Sequence, residues 1–179
     1  MVDMKKLAID ELDRLSVEEF KKAKKLPVVV VLDNVRSLNN IGSVFRTADA
    51  FLIEKIMLCG ITAKPPHRDI HKTALGATES VKWEYFDTTA EALQKLKENN
   101  FTLLSIEQVK GSLHLNGMNI EKEGKYGLIF GNEVKGVAQE VIDQSDFCLE
   151  IPQHGTKHSL NISVCAGIVL WEFFSKMQT

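Results

Sequence analysis

Short, continuous runs of β-branched and other apolar residues recur along the chain and alternate with amphipathic stretches. The clearest run is Val28 to Leu32, which is bounded by Pro27 and by Asp33-Asn34. Such runs are typical of parallel strands that are buried on both faces. The predicted strands are Val28–Leu32, Lys55–Cys59, Lys82–Phe86, Phe101–Ile106, Tyr126–Phe130 and Phe147–Ile151. The pattern therefore predicts an α/β fold with a mostly parallel sheet and helices on both faces.

The stretches between the runs carry the signals of helices. Ser16-Val17-Glu18-Glu19 has the pattern of a capping box and predicts a Lys-rich helix that ends by Pro27. Thr88 is the predicted cap of a second clear helix. Residues 62–79 look irregular, with a short helix near His71. The other predicted helices are Asn40–Phe51, Ala90–Glu98, Val137–Gln144 and Leu160–Lys176.

Composition limits the domain count and the classes of partner. The 179 residues fit one domain with a short extension, and we divide them into a basic N-terminal helical extension, 1–25, and a main domain, 26–179. The net charge of −2 gives no global attraction to nucleic acid. Any nucleic-acid-binding surface must then be a local basic patch, although each patch also has the composition of a solvated helix face. The candidates are Lys21, Lys22, Lys24, Lys25, Lys64, His67, Arg68, His71 and Lys72.

Other features point to a reduced, cytoplasmic protein. The three cysteines are odd in number, far apart and embedded in apolar runs, which is typical of core thiols. Residues 1–7 lack the apolar stretch of a signal peptide. The near-apolar run Leu160 to Phe174 is too short to span a bilayer. That run therefore predicts no membrane segment. His67 and His71 lack the glutamate of a metalloprotease motif, so we predict no metal site. Neither a phosphate loop nor a dinucleotide-binding glycine motif is present.

Three polar blocks, residues 39–50, 130–136 and 151–161, each follow a predicted strand. Ligands bind beyond the carboxyl ends of strands in open α/β sheets, so the blocks predict one composite site. Arg46 is suited to gripping a phosphate or carboxylate, and Gly42 on the same side of the predicted helix permits close approach of a ligand to the backbone. Glu133 either receives a cation or orients Arg46. Ser159 is the predicted cap of the closing helix. Asn161, placed inside that helix, needs a specific partner.

The closing helix, Leu160–Lys176, is apolar on nearly every side. A surface helix would keep a polar face, so we expect this one to be covered on more than one side. A central core helix and a subunit interface both account for the pattern, since aromatic residues such as Trp171 and Phe174 are enriched at interfaces.

Together the blocks resemble the signature of the SpoU/TrmH family of RNA ribose 2′-O-methyltransferases, within the SPOUT superfamily. The resemblance runs from Val28 to Trp171 and includes Asn39 to Ala50, Phe130-Gly131-Asn132-Glu133-Val134-Lys135-Gly136, Ser159-Leu160-Asn161 and the strand end Leu103 to Gln108. It implies a sheet whose C-terminal part forms a trefoil knot. It also implies a homodimer that binds S-adenosylmethionine in the knot, which favours the interface interpretation of the closing helix.

The resemblance also assigns roles to residues. Arg46 matches the catalytic arginine and Asn40 its positioning amide, and Glu133, Ser159 and Asn161 complete the catalytic set. The implied cofactor-binding residues are Gly131, Ile151, Leu160 and Ser105. The basic residues expected to contact RNA are Lys21, Lys22, Lys24, Lys25 and Lys157.

The resemblance leads us to expect 2′-O-methylation of RNA, with a tRNA guanosine as the favoured target. The separate N-terminal RNA-binding domain of rRNA-modifying members has no counterpart in this sequence, so the Lys-rich helix and the dimer surface would select the substrate. Two alternatives stay open: an rRNA methyltransferase, and a non-catalytic RNA-binding factor on the same fold. A small-molecule enzyme with a nucleotide cofactor is disfavoured, because the sequence lacks the glycine motif that binds such a cofactor.

Overall fold

The computed structural model describes residues 4–178 and contains a single seven-stranded sheet in which every paired strand is parallel. The strand order is β3-β2-β1-β6-β4-β7-β5. Residues 1–3, at the start of the predicted extension 1–25, and residue 179, at the end of the predicted domain 26–179, lie outside the described residues. The strands are β1 (Leu26–Asp33), β2 (Ile53–Cys59), β3 (Lys82–Phe86), β4 (Thr102–Ile106), β5 (Leu113–His114), β6 (Tyr126–Phe130) and β7 (Phe147–Glu150).

Helices follow or connect most of the strands, as the alternation predicted. Short 3-10 helices span Ile9–Leu12 and Leu115–Gly117. The α-helices are α1 (Val17–Lys22), α2 (Leu38–Ala50), α3 (Arg68–Ala74), α4 (Ala77–Ser80), α5 (Thr89–Glu98), α6 (Gln139–Ile142) and α7 (Ile162–Gln178).

Alternation along β1 divides the core between the two faces of the sheet. Val28, Val30 and Leu32 belong to the larger cluster, which also takes buried side chains from α1, α2, α3, α4 and α7. Val29 and Val31 point to the other face and belong to a smaller cluster with α5 and α6. Both faces are buried because helices cover both. The predicted α/β fold is confirmed.

The predicted helix Val137–Gln144 is wrong at both ends, since α6 spans only Gln139–Ile142. Its preceding amides have other acceptors: Val137 N–H donates to the Glu107 carboxylate at 2.9 Å, and Ala138 N–H donates to the Asp33 carboxylate at 3.1 Å. Both N–H groups are thus satisfied by side chains of other strands' ends, before the helix begins.

The closing helix also begins later than predicted. It starts at Ile162, and Asn161 precedes it. The side-chain oxygen of Asn161 accepts a hydrogen bond from Ser163 N–H at 2.9 Å, which is the contact of an N-cap. The cap is therefore Asn161 rather than Ser159, and Asn161 does not lie inside the helix.

The N-terminal segment packs onto the same core. Ser16 and Glu19 form the predicted capping box, with Ser16 N–H donating to the Glu19 carboxylate at 2.8 Å. Phe20 of α1 is buried in the cluster that contains Val28. Within residues 4–178, no helix is both long enough and apolar enough to cross a membrane.

Candidate functional site

A cavity of about 550 Å³ opens at the carboxyl ends of β4, β6 and β7. Its walls include Ile106, Phe130 and Leu149 from those strands. Much of the remaining wall comes from two of the three polar blocks. The predicted site residues that line it are Gly131, Glu133, Ile151, Ser159, Leu160 and Asn161. Its size lies in the ordinary range for small-molecule sites.

Glu133 ties the β6 loop to the start of α2. One carboxylate oxygen accepts a hydrogen bond from Arg36 N–H at 2.9 Å. The other accepts from Ser37 N–H at 2.9 Å and from the Asn40 side-chain amide at 3.1 Å. Three donors therefore converge on one carboxylate at the first turn of α2.

These donors determine the protonation of Glu133. Partial burial raises the pKa of the carboxyl, and the hydrogen bonds from Arg36 N–H, Ser37 N–H and the Asn40 amide act in the opposite direction. The hydrogen bonds prevail, and the pKa of Glu133 lies below its ordinary value of 4.5. Glu133 is consequently an anion at neutral pH.

Asn40 extends this network to the third block. Its side-chain oxygen accepts a hydrogen bond from the Asn161 amide at 3.2 Å. The Asn161 oxygen in turn accepts from Ser163 N–H and from the Ser163 hydroxyl. The chain Glu133–Asn40–Asn161 thus joins all three polar blocks, as the sequence predicted for a composite site.

Gly131 is required by the close approach of two backbone segments. A Cβ at this position would lie 2.1 Å from both the Gly136 carbonyl carbon and the Val137 nitrogen. Gly136 has a φ of +69°, a conformation that favours glycine. The two residues close a tight turn whose Asn132 N–H and Gly136 N–H each donate to the other's carbonyl.

Two side chains that the sequence analysis did not single out support this turn. The Glu107 carboxylate accepts from Gln108 N–H at 3.0 Å and from Val137 N–H at 2.9 Å. The Asn132 amide donates to the Asn34 carbonyl at 2.7 Å, and its oxygen accepts from Val134 N–H at 2.9 Å. Glu107 directly follows a predicted strand and Asn132 follows another after one glycine, and these positions were the available signal.

Arg46 lies apart from this cavity. It is exposed on α2 and lines a smaller cavity of about 290 Å³ together with Leu15, Ser16 and Asp49. Hydrogen bonds from Asn40 and the α2 amides occupy the Glu133 carboxylate, so the expectation that Asn40 and Glu133 hold Arg46 directly is not what the structure shows.

Gly42, on the same helix as Arg46, was expected to let a ligand approach the backbone. A Cβ there would lie 2.1 Å from the Thr73 hydroxyl and 2.3 Å from the Ile70 carbonyl oxygen. Gly42 therefore lets α3 pack closely against α2, and its place is in the core rather than at a ligand surface.

Ser105 does not line the cavity. It is fully buried on β4, and its hydroxyl lies 2.8 Å from the Ser145 hydroxyl. The adjacent residue, Ile106, reaches the cavity instead.

The basic residues of the N-terminal extension divide into two groups. Lys21 pairs with Glu18 at 3.4 Å. The Lys25 ammonium donates to the Phe20 and Ala23 carbonyls, and burial together with Lys82 lowers its pKa. Lys25 thus closes the end of α1 instead of facing a ligand. Lys22, Lys24 and, in the third block, Lys157 are exposed.

The cavity wall also includes Cys165. Burial, followed by the nearby charge of Glu107, raises the pKa of this thiol to about 11. A neutral thiol is a poor nucleophile, so Cys165 serves as an apolar wall. No group of three or more potential metal ligands occurs among residues 4–178.

An apolar face of α7 is open to solvent beside the cavity. Val164, Ile168 and Trp171 are 51%, 40% and 55% exposed. The Trp171 ring stacks near Phe51 and Phe174, with ring centroids 5.8 and 6.0 Å away. The helix is therefore buried on one side and uncovered on the other within this chain, which is not the pattern of a central core helix.

The sequence matches the profile of the SpoU rRNA Methylase family over residues 27–171. A Staphylococcus aureus protein assigned by name to the TrmH family of tRNA/rRNA methyltransferases is 28% identical over 160 residues. The match covers 89% of this chain and 63% of that protein, so the chain spans less than two thirds of this relative.

Solved structures share the fold. The A. aeolicus TrmH/SpoU tRNA modifying enzyme superposes with a TM-score of 0.79 at 26% identity, over 90% of this chain and 80% of that one. An AdoMet-bound rRNA methyltransferase from Sinorhizobium meliloti gives a TM-score of 0.78 at 24% identity, over 86% of this chain and 59% of that one.

Proposed function

The chain belongs to the SpoU rRNA methylase family, and from this premise we propose that it is an S-adenosylmethionine-dependent RNA ribose 2′-O-methyltransferase. The observation that carries the proposal is the hydrogen-bonded chain Glu133–Asn40–Asn161 at the cavity beyond β4, β6 and β7. It joins the three motif-bearing segments at one site, which a fold-level likeness alone would not require.

The residues of the cavity suit the proposed cofactor. Gly131 and Gly136, which close the turn of the second block, both line the cavity. Ile151 and Leu160 would offer apolar surface and backbone groups to the cofactor, and Glu133 would contribute a negative charge that suits its cationic sulfonium. The AdoMet found in the Sinorhizobium meliloti protein of the same fold supports this assignment. S-adenosylmethionine supplies an electrophilic methyl group when bound.

The role of this chain's residues is to position the RNA and stabilise charge. Arg46 is exposed and free to bind the phosphate beside the target ribose and to stabilise the alkoxide that develops there. A guanidinium stays protonated in proteins, so we assign Arg46 as an electrostatic stabiliser and not as a base. Asn40 and Glu133 act by fixing the first turn of the helix that carries Arg46.

The proposal includes a homodimer. The open apolar face of Val164, Ile168 and Trp171 is the surface that would pair two copies, since exposed apolar patches of this kind mark interaction sites. The shared fold of the TrmH/SpoU structures also supports the C-terminal knot implied by the sequence motifs.

We further propose a tRNA guanosine as the substrate, with residues 1–25 acting as a basic extension to the domain 26–179. The likeness to the A. aeolicus tRNA modifying enzyme supports tRNA. The names of the relatives include rRNA as well, so an rRNA site is the second candidate. Lys22, Lys24 and Lys157, which are exposed, are the RNA contacts we assign.

The test is methyl transfer to RNA from cells that lack this gene. Purified protein, labelled S-adenosylmethionine and separated tRNA and rRNA fractions are combined, and nucleoside mass spectrometry identifies the product. We expect 2′-O-methylguanosine in tRNA. Methylation of a base would refute the ribose assignment, and RNA binding without any transfer would favour the non-catalytic factor.

Arg46→Ala provides the residue-level test. Because the side chain is exposed, folding and cofactor affinity should stay near wild type. The turnover number should fall by roughly a hundredfold or more, the loss typical of removing a charge-stabilising group. Near-normal turnover would remove Arg46 from the mechanism. Lys97→Ala, a change at an exposed basic residue of α5, is the control.

A further inference from the structure

A second cavity, of about 520 Å³, lies beside α3 and α4 at the sheet edge formed by β3. Its lining combines an aromatic ring, two prolines, a guanidinium and a carboxylate: Trp83, Pro65, Pro66, Arg68 and Glu79. None of these residues belongs to the three polar blocks, and the proposed transfer reaction does not use them.

Trp83 forms the platform of this cavity. Its ring is half-buried and packs against the larger core cluster, while part of it lines the cavity. β3 is an edge strand of the sheet and pairs with β2 alone. An indole that is half-buried against the core and also lines an open cavity offers a rigid surface for a stacked base.

The charges at the rim select the chemistry of the occupant. Arg68 lines the cavity, and Lys72 lies on the same short helix; both are exposed. Arginine matches phosphate geometry and stacks on aromatic planes. Glu79 provides only acceptors, so it suits the N–H groups of a base edge and repels a phosphate. The cavity thus has places for one base and one phosphate.

The cavity adjoins the surface around Arg46. Glu79 lines both this cavity and the smaller one that contains Arg46 and Asp49. The α4 residue therefore stands between the two, and an extended polynucleotide gripped at Arg46 would reach Trp83 along α4.

We propose that the Trp83 cavity, defined by Trp83, Arg68 and Glu79, binds a second nucleotide of the RNA substrate, close in sequence to the methylated one. Its base stacks on Trp83, its phosphate pairs with Arg68, and Glu79 accepts hydrogen bonds from the base edge. Guanine offers adjacent N–H donors there, so guanosine is the preferred nucleotide. This inference rests on the proposed RNA substrate and adds a specificity determinant to it.

Binding and catalysis test the inference separately. Fluorescence anisotropy measures the affinity of a short labelled oligouridine and of the same oligomer with one central guanosine, without cofactor. Trp83→Leu should weaken binding of the guanosine oligomer roughly tenfold, the loss expected for one stacked base. Glu79→Gln should reduce the preference for guanosine, measured as the ratio of the affinities for the two oligomers. Phe147→Leu, at an aromatic residue on β7 that is 49% exposed and lies outside this cavity, is the control.

In the transfer assay, Trp83→Leu should raise the KM for RNA by about the same factor, with kcat and the KM for S-adenosylmethionine unchanged. Arg68→Ala, a surface change, repeats the test if Trp83→Leu unfolds. Equal oligomer affinities in wild type and both variants would overturn the subsite, as would no binding by wild type. If binding depends on Trp83 but wild type transfers no methyl group, the subsite stands and the proposed enzyme function fails.

Discussion

Replacing Glu133 by glutamine tests the electrostatic centre of the site. The wild-type carboxylate accepts three hydrogen bonds, from Arg36 N–H, Ser37 N–H and the Asn40 amide. A glutamine oxygen can keep the two donors at Ser37 and Asn40, but its NH₂ group then faces the Arg36 N–H. One charge-assisted hydrogen bond is replaced by two opposed donors.

The expected loss in the free energy of unfolding is about 1–2 kcal/mol, the lower part of the range for a hydrogen bond to a charged group, because the carboxylate is partly solvated. Chemical denaturation at fixed protein concentration measures it. Glu123→Gln is the control, since Glu123 is exposed and no hydrogen bond of its side chain occurs among residues 4–178.

The pH dependence separates charge from shape. The pKa of Glu133 is lowered in the folded state, so its contribution is complete above the ordinary value of 4.5 and is lost as pH falls through the lowered value. The stability gap between wild type and Glu133→Gln should be constant near neutral pH and should close in acid below about 4.5. A gap that is absent at neutral pH, or unchanged in acid, would refute this account.

Three further changes probe other parts of the molecule. Gly131→Ala forces the Gly136–Val137 backbone to shift, and calorimetry should show S-adenosylmethionine binding weakened at least tenfold. Gly155→Ala is the control and should not weaken binding, because the space around Gly155 is open. Trp171→Glu places a charge on the open α7 face and should convert dimer to monomer in sedimentation; an unchanged mass would exclude this face as the interface. Charge reversal at Lys22 and Lys24 should flatten the dependence of log K on log salt by about one for each phosphate that the extension no longer neutralises, and an unchanged slope would clear the extension of a role in RNA binding.

Sequence patterns were sufficient wherever one local signal dominated. The continuous apolar run of β1 and the Thr88 cap of α5 each predicted the ends of their element to within two residues of the observed ends. The two residues of β5, exposed at the sheet edge, carry no such run and were not predicted. Strand order also lay beyond local reasoning, because it depends on which distant segments pair.

The sequence predicted which segments form the site better than it predicted which residues bind one another there. The polar blocks were correctly expected to meet, because loops after parallel strands share one edge. That Glu133 would bind the α2 amides, and that Asn161 would bind the Asn40 side chain, depends on pairings across 96 and 121 residues. Gly42 was placed on a ligand surface by its position in the sequence pattern. The structure instead packs α3 against it, which the sequence pattern does not reveal.

The order of the strands has a consequence for synthesis on the ribosome. β6 inserts between β1 and β4, and β7 inserts between β4 and β5, so each later strand enters a gap between strands made before it. The first three strands can pair as they emerge, but the pocket at the ends of β4, β6 and β7 has no walls until nearly the whole polypeptide has been translated. Such non-local pairing is intrinsically slow. Acquisition of ligand affinity would therefore mark the last step of maturation, not an early one.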